Sequence, residues 1–252
     1  MVIPARFSAA LALAILCACR TAGPPAAIDP ALAGRVPPAT VALAGLDLDG
    51  IRSSPLYANL PPGARAFLAP FAGAHQALFA STGSALLVIA RGVVPGAIQA
   101  APGLALFGAP ELAAAASGNH PPAAILTPAA TVAPGHMIWI AARGGIALPL
   151  EGNLENINNL LRGAEFLTLT IQPAEPAVLE LAAQCPTPES ALHFEQTLRA
   201  LATMAAAVNS RDAQFAAALQ AIRIDRAERT VRAKLALPLD ALSRLTFPSP
   251  AR

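Results

Sequence analysis

The chain has 252 residues, of which 55% are hydrophobic and 13% charged, so it can bury the core of one larger domain or two small ones. Its formal net charge is only +2, a field too weak to indicate nucleic acid or an acidic substrate as a partner. Trp139 and Tyr57 are single occurrences. The composition therefore argues against aromatic platforms that stack on sugars or single-stranded nucleic acid.

Residues 1–18 are typical of a secretory signal peptide. One basic residue, Arg6, precedes an apolar run over residues 7–16 that is too short to span a bilayer, which takes about 20 residues. The ending Leu16, Cys17, Ala18, Cys19 resembles the lipobox of bacterial lipoproteins, whose cysteine is diacylated and becomes the new N-terminus. We therefore predict cleavage before Cys19 and lipidation there. The alternative is an ordinary signal peptide followed by an accidental cysteine.

A lipidated Cys19 would determine where the mature chain resides, because two or more acyl chains make a stable anchor. We expect a membrane-anchored lipoprotein that faces the periplasm, with the cell surface as an alternative. Arg20 rather than aspartate follows the cysteine, which favours the outer membrane over the inner one. Residues 19–38 are rich in proline and alanine and are predicted to form an extended tether.

Hydrophobic periodicity predicts an ordered series of elements in each half of the chain. In the first half these are a strand at 41–48, a helix opened by Ser54 and Pro55, strands at 75–81 and 85–91, a weak helix after Gly92, a strand at 104–107 and a helix at 110–116. In the second half they are a strand at 137–141, a short helix capped by Asn153, strands at 166–171 and 178–183, a helix from Thr187, a helical piece at 214–220, and a hairpin at 222–224 and 231–237. The long helix from Thr187 is predicted to bury one continuous stripe made of Ala191, Phe194, Leu198, Leu201, Ala205 and Val208.

Written as element types, the first half is β-α-β-β-α-β with a weak second helix, and the second half is β-α-β-β-α-β with an added strand and helix. This order predicts an α+β fold of two tandem ferredoxin-like units, with antiparallel sheets and helices packed on one face. The units would cover residues 39–117 and 136–252. A proline-rich connection at 118–135 would join them.

Several segments of the chain, taken together, resemble a group of uncharacterised bacterial secreted or lipid-anchored proteins with β-α-β-β repeats. They are residues 43–60 with Ser54, Pro55, Leu56 and Tyr57, then 86–92, 137–141, Gly152 with Asn153 and Leu154, and 231–245. The resemblance spans nearly the whole mature chain. It implies a fold and an envelope location, and no catalytic residue.

Candidate binding residues are basic. Arg91 and Arg143 each precede a glycine at the end of an apolar strand, so two guanidinium groups would grip a carboxylate or phosphate if those strand ends meet. Arginine leaving a buried strand for solvent is the plainer interpretation. In the closing hairpin, Arg223, Arg232 and Lys234 alternate with apolar residues, which predicts one buried face and one basic face. That basic face would contact anionic lipid or lipopolysaccharide, or would simply be solvated.

The sequence carries no zinc-ligand spacing, phosphate-binding glycine loop or nucleophile elbow, so we expect no cofactor. Our leading prediction is an envelope lipoprotein acting as a non-catalytic binding or scaffolding module, with the membrane and another envelope protein as partners and no nucleic acid. The alternatives are an envelope enzyme with a dispersed site, built from Asp47, Arg91 and Arg143, and a carrier of a hydrophobic ligand between the sheet and the long helix. An exposed apolar patch would favour the binding module, a polar pocket the enzyme, and an apolar cavity the carrier.

Overall fold

The structure is a computed structural model that describes residues 28–60, 62–145, 162–239 and 241. Within these residues ten strands form one sheet in which all neighbouring strands are antiparallel. In chain order they are β1 (Ala42–Asp47), β2 (Gly73–Ser81), β3 (Leu86–Val93), β4 (Ile98–Ala101), β5 (Leu104–Gly108), β6 (Ile138–Arg143), β7 (Phe166–Gln172), β8 (Ala177–Gln184), β9 (Arg223–Ala227) and β10 (Thr230–Leu237). With the helices, they make an α+β protein.

The described helices pack on both sides of this sheet. They are α1 (Pro30–Ala33), α2 (Leu48–Ser53), α3 (Pro55–Asn59), α4 (Pro62–Leu68), α5 (Pro110–Ser117), α6 (Leu126–Val132), α7 (Pro188–Val208) and α8 (Ala213–Gln220), with a 3₁₀ turn at Ala69–Phe71. The helix predicted after Gly92 is wrong, because edge strand β4 forms there. The helix predicted at Asn153 lies outside the described residues.

The prediction of two tandem ferredoxin-like units is also wrong. The strand order is β4-β5-β3-β2-β1-β6-β7-β8-β10-β9, so the halves join through the β1–β6 pair into one continuous sheet. In that pair Leu43 lies opposite Ala141 and Gly45 opposite Trp139. Both halves do share one strand order: numbered within each half, the strands run 1-2-3-5-4 outward from the centre. The repeat is therefore one of topology, in a shared sheet with helices on both faces.

Opposed residues of antiparallel strands point to the same side, so the register defines two faces. Face A carries Leu43, Leu78, Ile89, Leu106 and Trp139, which pack in one core with α1, α5 and α6. Face B carries Leu46, Val88, Leu169 and Val231, and three further clusters cover it with α2, α3, α4 and α7. Helices on both faces explain why runs such as Leu87 to Ala90 are buried without alternation.

The end of the predicted tether belongs to the folded domain. Asp29 caps α1, and Leu32 and Val36 are 1% and 0% exposed within the face-A core. The predicted 118–135 connection likewise contributes α6, with Ile125 and Ala129 buried in the same core. No helix was predicted in either segment because both are rich in proline. A short helix nevertheless packs against the core with only two or three apolar residues.

The long helix begins as predicted. Thr187 caps it through a hydrogen bond from the Ser190 N–H at 3.1 Å, and Phe194 is 3% exposed. Leu198 and Leu201 are half-buried against the same cluster. The last member of the predicted stripe is wrong: Val208 is 76% exposed, because the helix runs past the cluster that it covers.

Candidate functional site

Among the described residues, no helix packs over face A at strands β8, β9 and β10. Strands β7 to β10 form the floor of a groove of about 460 Å³, and α6 with His136 forms its wall. Its polar lining includes Thr168, Thr170, Glu180, Arg232, Lys234 and His136. Two of the predicted binding residues, Arg232 and Lys234, therefore lie in this groove, and Arg223 is on the same face directly opposite Lys234.

The groove floor is built as rows of side chains across the strands. One row places Thr170, Glu180, Lys234 and Arg223 opposite one another, and the next places Thr168, Ala182, Arg232 and Asp225. The predicted alternation of the hairpin is confirmed, since Val231, Ala233 and Leu237 are buried while Arg232 and Lys234 are exposed. The basic character is partly neutralised, because Glu180 and Asp225 stand among the cations and Lys234 Nζ lies 2.5 Å from Glu180 Oε1.

The other arginines of the hairpin point elsewhere. Arg226, on face B, and Arg199 of α7 both bind the carboxylate of Glu195, at 3.0 Å each. The hydrogen bonds from Arg199 and then Arg226 lower the pKa of Glu195 below its ordinary value. Arg199 also donates to the Ile224 carbonyl at 2.7 Å, so this network ties α7 to edge strand β9.

A second, smaller cavity of about 70 Å³ adjoins the groove, because His136 lines both. We call it the His136 pocket; its polar and aromatic lining consists of Asp29, Asp47, Gln76, His136 and Trp139. Asp29 accepts the Ala31 N–H at 2.8 Å and pairs with Arg91 Nε at 3.2 Å. Asp47 accepts the Gly50 N–H at 3.0 Å and so caps α2.

His136 has a defined role for each ring nitrogen. Its Nδ1 lies 2.8 Å from the Val132 carbonyl and 3.2 Å from the Pro134 carbonyl. Carbonyl oxygens only accept, so Nδ1 donates to them. In the tautomer that this hydrogen bond selects, Nε2 has the lone pair and is the hydrogen-bond acceptor that faces the pocket.

The dispersed site of Asp47, Arg91 and Arg143 does not assemble. Arg91 lies opposite Gln76, which lies opposite Asp47, so these residues share one end of the sheet. Arg143 donates its backbone N–H to Val41, at the other end of β1, about 20 Å from Asp47 at 3.3 Å per residue. The strands β3 and β6 run in opposite directions, which sends their final arginines to opposite ends.

Asp49 follows two residues after Asp47 but is not part of the pocket, because β1 ends at Asp47 and Asp49 belongs to α2. Asp49 is exposed and binds Arg52 at 2.6 Å and His75 at 2.8 Å. Cys185 is a fully buried free thiol, and burial raises its pKa, which suits an inert core residue. Cys19 lies outside the described residues.

An apolar patch occupies face B near the outer edge of the first half. Phe107 lies opposite Val88, which lies opposite Phe79, and Phe67 stacks on Phe79 with ring centroids 5.8 Å apart. Phe107 is 49% exposed, and Phe67 and the neighbouring Leu86 are each 47% exposed. Large apolar side chains exposed on one face, as these are, are typical of a contact site for a partner.

Comparisons with known proteins do not identify a family for this chain. The chain matches no protein-family model and no curated protein. A solved structure described as crystal form I of TP0453 is similar to it with a TM-score of 0.44 and 11% identity, covering 87% of this chain and 97% of that one. A likeness this distant says nothing about what this chain binds. Among the helices of the described residues, none has both the length and the apolar content to cross a membrane.

The sequence prediction missed most of the residues that line the two cavities. Asp29, Gln76, His136 and Glu180 were not singled out for binding, because each stands alone in the sequence without a spaced partner. The alternation of Thr168 and Thr170 with Leu167 and Leu169 was a usable signal for a polar face. Only the strand order shows that this face continues across β8, β10 and β9.

Proposed function

We propose that the chain is a bacterial envelope lipoprotein, anchored through Cys19, that binds a partner through its open groove and performs no chemistry. The observation that carries this proposal is the groove itself. A face of four adjacent strands presents exposed charged side chains, including Glu180, Arg232 and Lys234, and no helix of the described residues packs over them. Its volume of about 460 Å³ is within the range of roughly 300–1,000 Å³ that ligand pockets occupy.

The charged side chains on the groove floor favour binding over catalysis, because they face opposite charges and are exposed to water. Lys234 and Glu180 neutralise each other, and Arg232 lies directly opposite Asp225. These side chains are open to water, whereas catalytic electrostatics depends on groups in a water-excluding site. A hydrophobic carrier is less favoured, because Phe194, Leu198 and Leu201 pack into the space between α7 and the sheet.

A partner protein is favoured over an anionic lipid surface. Three cations and two carboxylates are mixed on the groove floor, so the field above it has no single strong sign. Complementary charges of both signs are what a protein surface supplies, and they give specificity more than raw affinity. The apolar patch around Phe107 supports a second contact with a partner.

The experiment has two parts, one for the anchor and one for the groove. Mass spectrometry of the mature N-terminus should find an acylated Cys19, and an unmodified chain that begins elsewhere would contradict the anchor. For the groove, a photo-crosslinking amino acid is placed at Arg232 in the full-length protein in cells. The matched control is the same residue at Gln196, an exposed position on α7. A discrete adduct from position 232 that position 196 does not form supports the groove, and identical adducts from both would refute it.

A further inference from the structure

We propose that the His136 pocket binds a cationic head group, a protonated amine or guanidinium carried on an alkyl stem. The inference deepens the proposed function, on which it rests for the source of that group: a basic side chain of the polypeptide that occupies the groove. The kind of group that the pocket can bind is determined by its lining residues Asp29, Asp47, Gln76, His136 and Trp139.

The pocket offers acceptors for such a group. An ammonium has three donors and no acceptor, and a guanidinium has five donors. Asp47 uses one carboxylate oxygen for the Gly50 N–H, which leaves lone pairs on the other. The Nε2 of His136 adds a second acceptor, because Nδ1 is engaged by two carbonyls. The carbonyl oxygen of Gln76, whose side chain also lines the pocket, is a third.

The charge balance fits a monovalent cation. Asp29 is paired with Arg91, so the uncompensated charge of the lining is the single negative charge of Asp47. An anion in the pocket would be repelled by the carboxylates of Asp29 and Asp47. Within the described residues, no three acidic, histidine or cysteine side chains lie together in a way that could hold a metal ion. An organic cation remains, and the indole of Trp139 adds a surface that attracts cations.

The size of the pocket limits what enters. About 70 Å³ is several times the ~10–15 Å³ that one water molecule needs, so an ammonium or guanidinium fits and a whole ligand does not. Because His136 also lines the groove, a head group inside the pocket directs its stem toward the groove. Leu32, Leu78 and Ala133 supply apolar walls for that stem. Hot spots of protein interfaces lie in well-packed pockets of this kind, and arginine is among the residues enriched there.

Trp139 is the only tryptophan of the chain, so its fluorescence reports on this pocket. The full mature protein is titrated with n-butylammonium chloride and, as the neutral match, n-butanol. We expect a saturable change of Trp139 emission at millimolar butylammonium and none with butanol. Equal responses to both, or no saturable response, would overturn the proposal.

Single substitutions test whether the carboxylate of Asp47 binds the cation. Asp47→Asn removes the charge and keeps a good helix cap, and it should weaken butylammonium binding at least about tenfold. Asp49→Asn makes the same change two residues away, outside the pocket, and should leave the affinity within about twofold. Gln76→Glu adds a carboxylate to the lining and should tighten binding, which keeps the test decisive if Asp47→Asn folds poorly. No difference among these variants would refute the assignment.

A last experiment distinguishes the two sources of the cation, a basic side chain of a polypeptide and a free amine. An acetylated Gly-Lys-Gly amide should bind more tightly than butylammonium, because its backbone reaches the groove, and its norleucine counterpart should not bind. If the peptide binds no better than butylammonium, the pocket takes free amines and the polypeptide source is refuted. Crosslinking from position 232 is scored independently, so failure of the pocket and failure of the groove are distinguishable.

Discussion

The junction between the two halves depends on a glycine. Gly45 lies opposite Trp139 in the β1–β6 pair, and the indole, which is 5% exposed, covers the position where a side chain would begin. A Cβ at residue 45 would fall inside contact distance of three indole atoms, Cε2, Cζ2 and Nε1. We therefore expect Gly45→Ala to destabilise the protein although alanine is the smallest possible addition.

The magnitude follows from two opposed terms. Overpacking a filled site costs about 1–3 kcal/mol, and the upper half applies because the clash is with a rigid bicyclic ring in the core. Removing glycine from a strand returns about 0.5–1 kcal/mol of conformational entropy. The free energy of unfolding should fall by a net ~1–2 kcal/mol. Because Trp139 also lines the His136 pocket, the ring must shift there as well.

Urea denaturation followed by far-UV circular dichroism measures the loss. The control is Gly63→Ala in α4, where nothing lies within 4 Å of the new Cβ and the stability should stay the same or rise. In a Trp139→Phe background, which lacks the bicyclic edge, the penalty of Gly45→Ala should shrink. A Gly45→Ala protein as stable as the parent, or a penalty unchanged by Trp139→Phe, would show that the reasoning is wrong.

Two further predictions concern α7. Phe194→Ala should lower the free energy of unfolding by about 3–5 kcal/mol and Val208→Ala by less than about 0.5 kcal/mol, because only Phe194 is buried; similar losses in urea denaturation would mean that the helix faces another way. The lowered pKa of Glu195 means that its stabilising contribution is complete above the ordinary glutamate pKa of about 4.3 and is lost as the pH falls through the lower folded-state value. Glu195→Gln should flatten that acidic part of the stability curve, and a curve of unchanged shape would contradict the role of Arg199 and Arg226.

Local patterns predicted the elements well, because strand and helix periodicity depends on near neighbours. The sequence interval 166–171 was predicted as a strand and forms β7, and the helix start at Thr187 was predicted from its cap and Pro188. The polar side of β10 was predicted from alternation alone. Each of these features needs only residues within a few positions of one another.

Non-local features were not predictable in the same way. The β1–β6 pair joins residues about a hundred positions apart, and nothing near Leu43 or Ala141 encodes that choice of neighbour. The same missing information led to the wrong grouping of Arg91 with Arg143, since strand direction decides which ends meet. Face B accommodates helices from both halves, so helix periodicity gave no sign that the sheet is shared.

The repeated strand order explains why the open surfaces lie where they do. In the second half, α7 and α8 are inserted between the third and fourth strands, and α7 covers face B. The first half has only residues 94–97 at that point of the chain and so no helix there, and Phe107 and Leu86 are half-exposed on face B. Conversely, α5 and α6 follow the fifth strand of the first half and cover face A. After β10, the described chain has only residues 238, 239 and 241, and Leu239 packs on face B.

Within the described residues, the two halves therefore leave different faces without a helix: part of face B, with apolar side chains, in the first half and part of face A, with charged side chains, in the second. A helix inserted at a given point of the repeat can cover only one face, so the same five-strand order with differently placed helices produces different exposed surfaces. The polar surface falls beside α6, whose C-terminal end positions His136 between the groove and the smaller pocket. The positions of the helices in the repeated sheet would then determine which surfaces are available for binding. A deletion or insertion at residues 94–97 would change the apolar surface without changing the polar one.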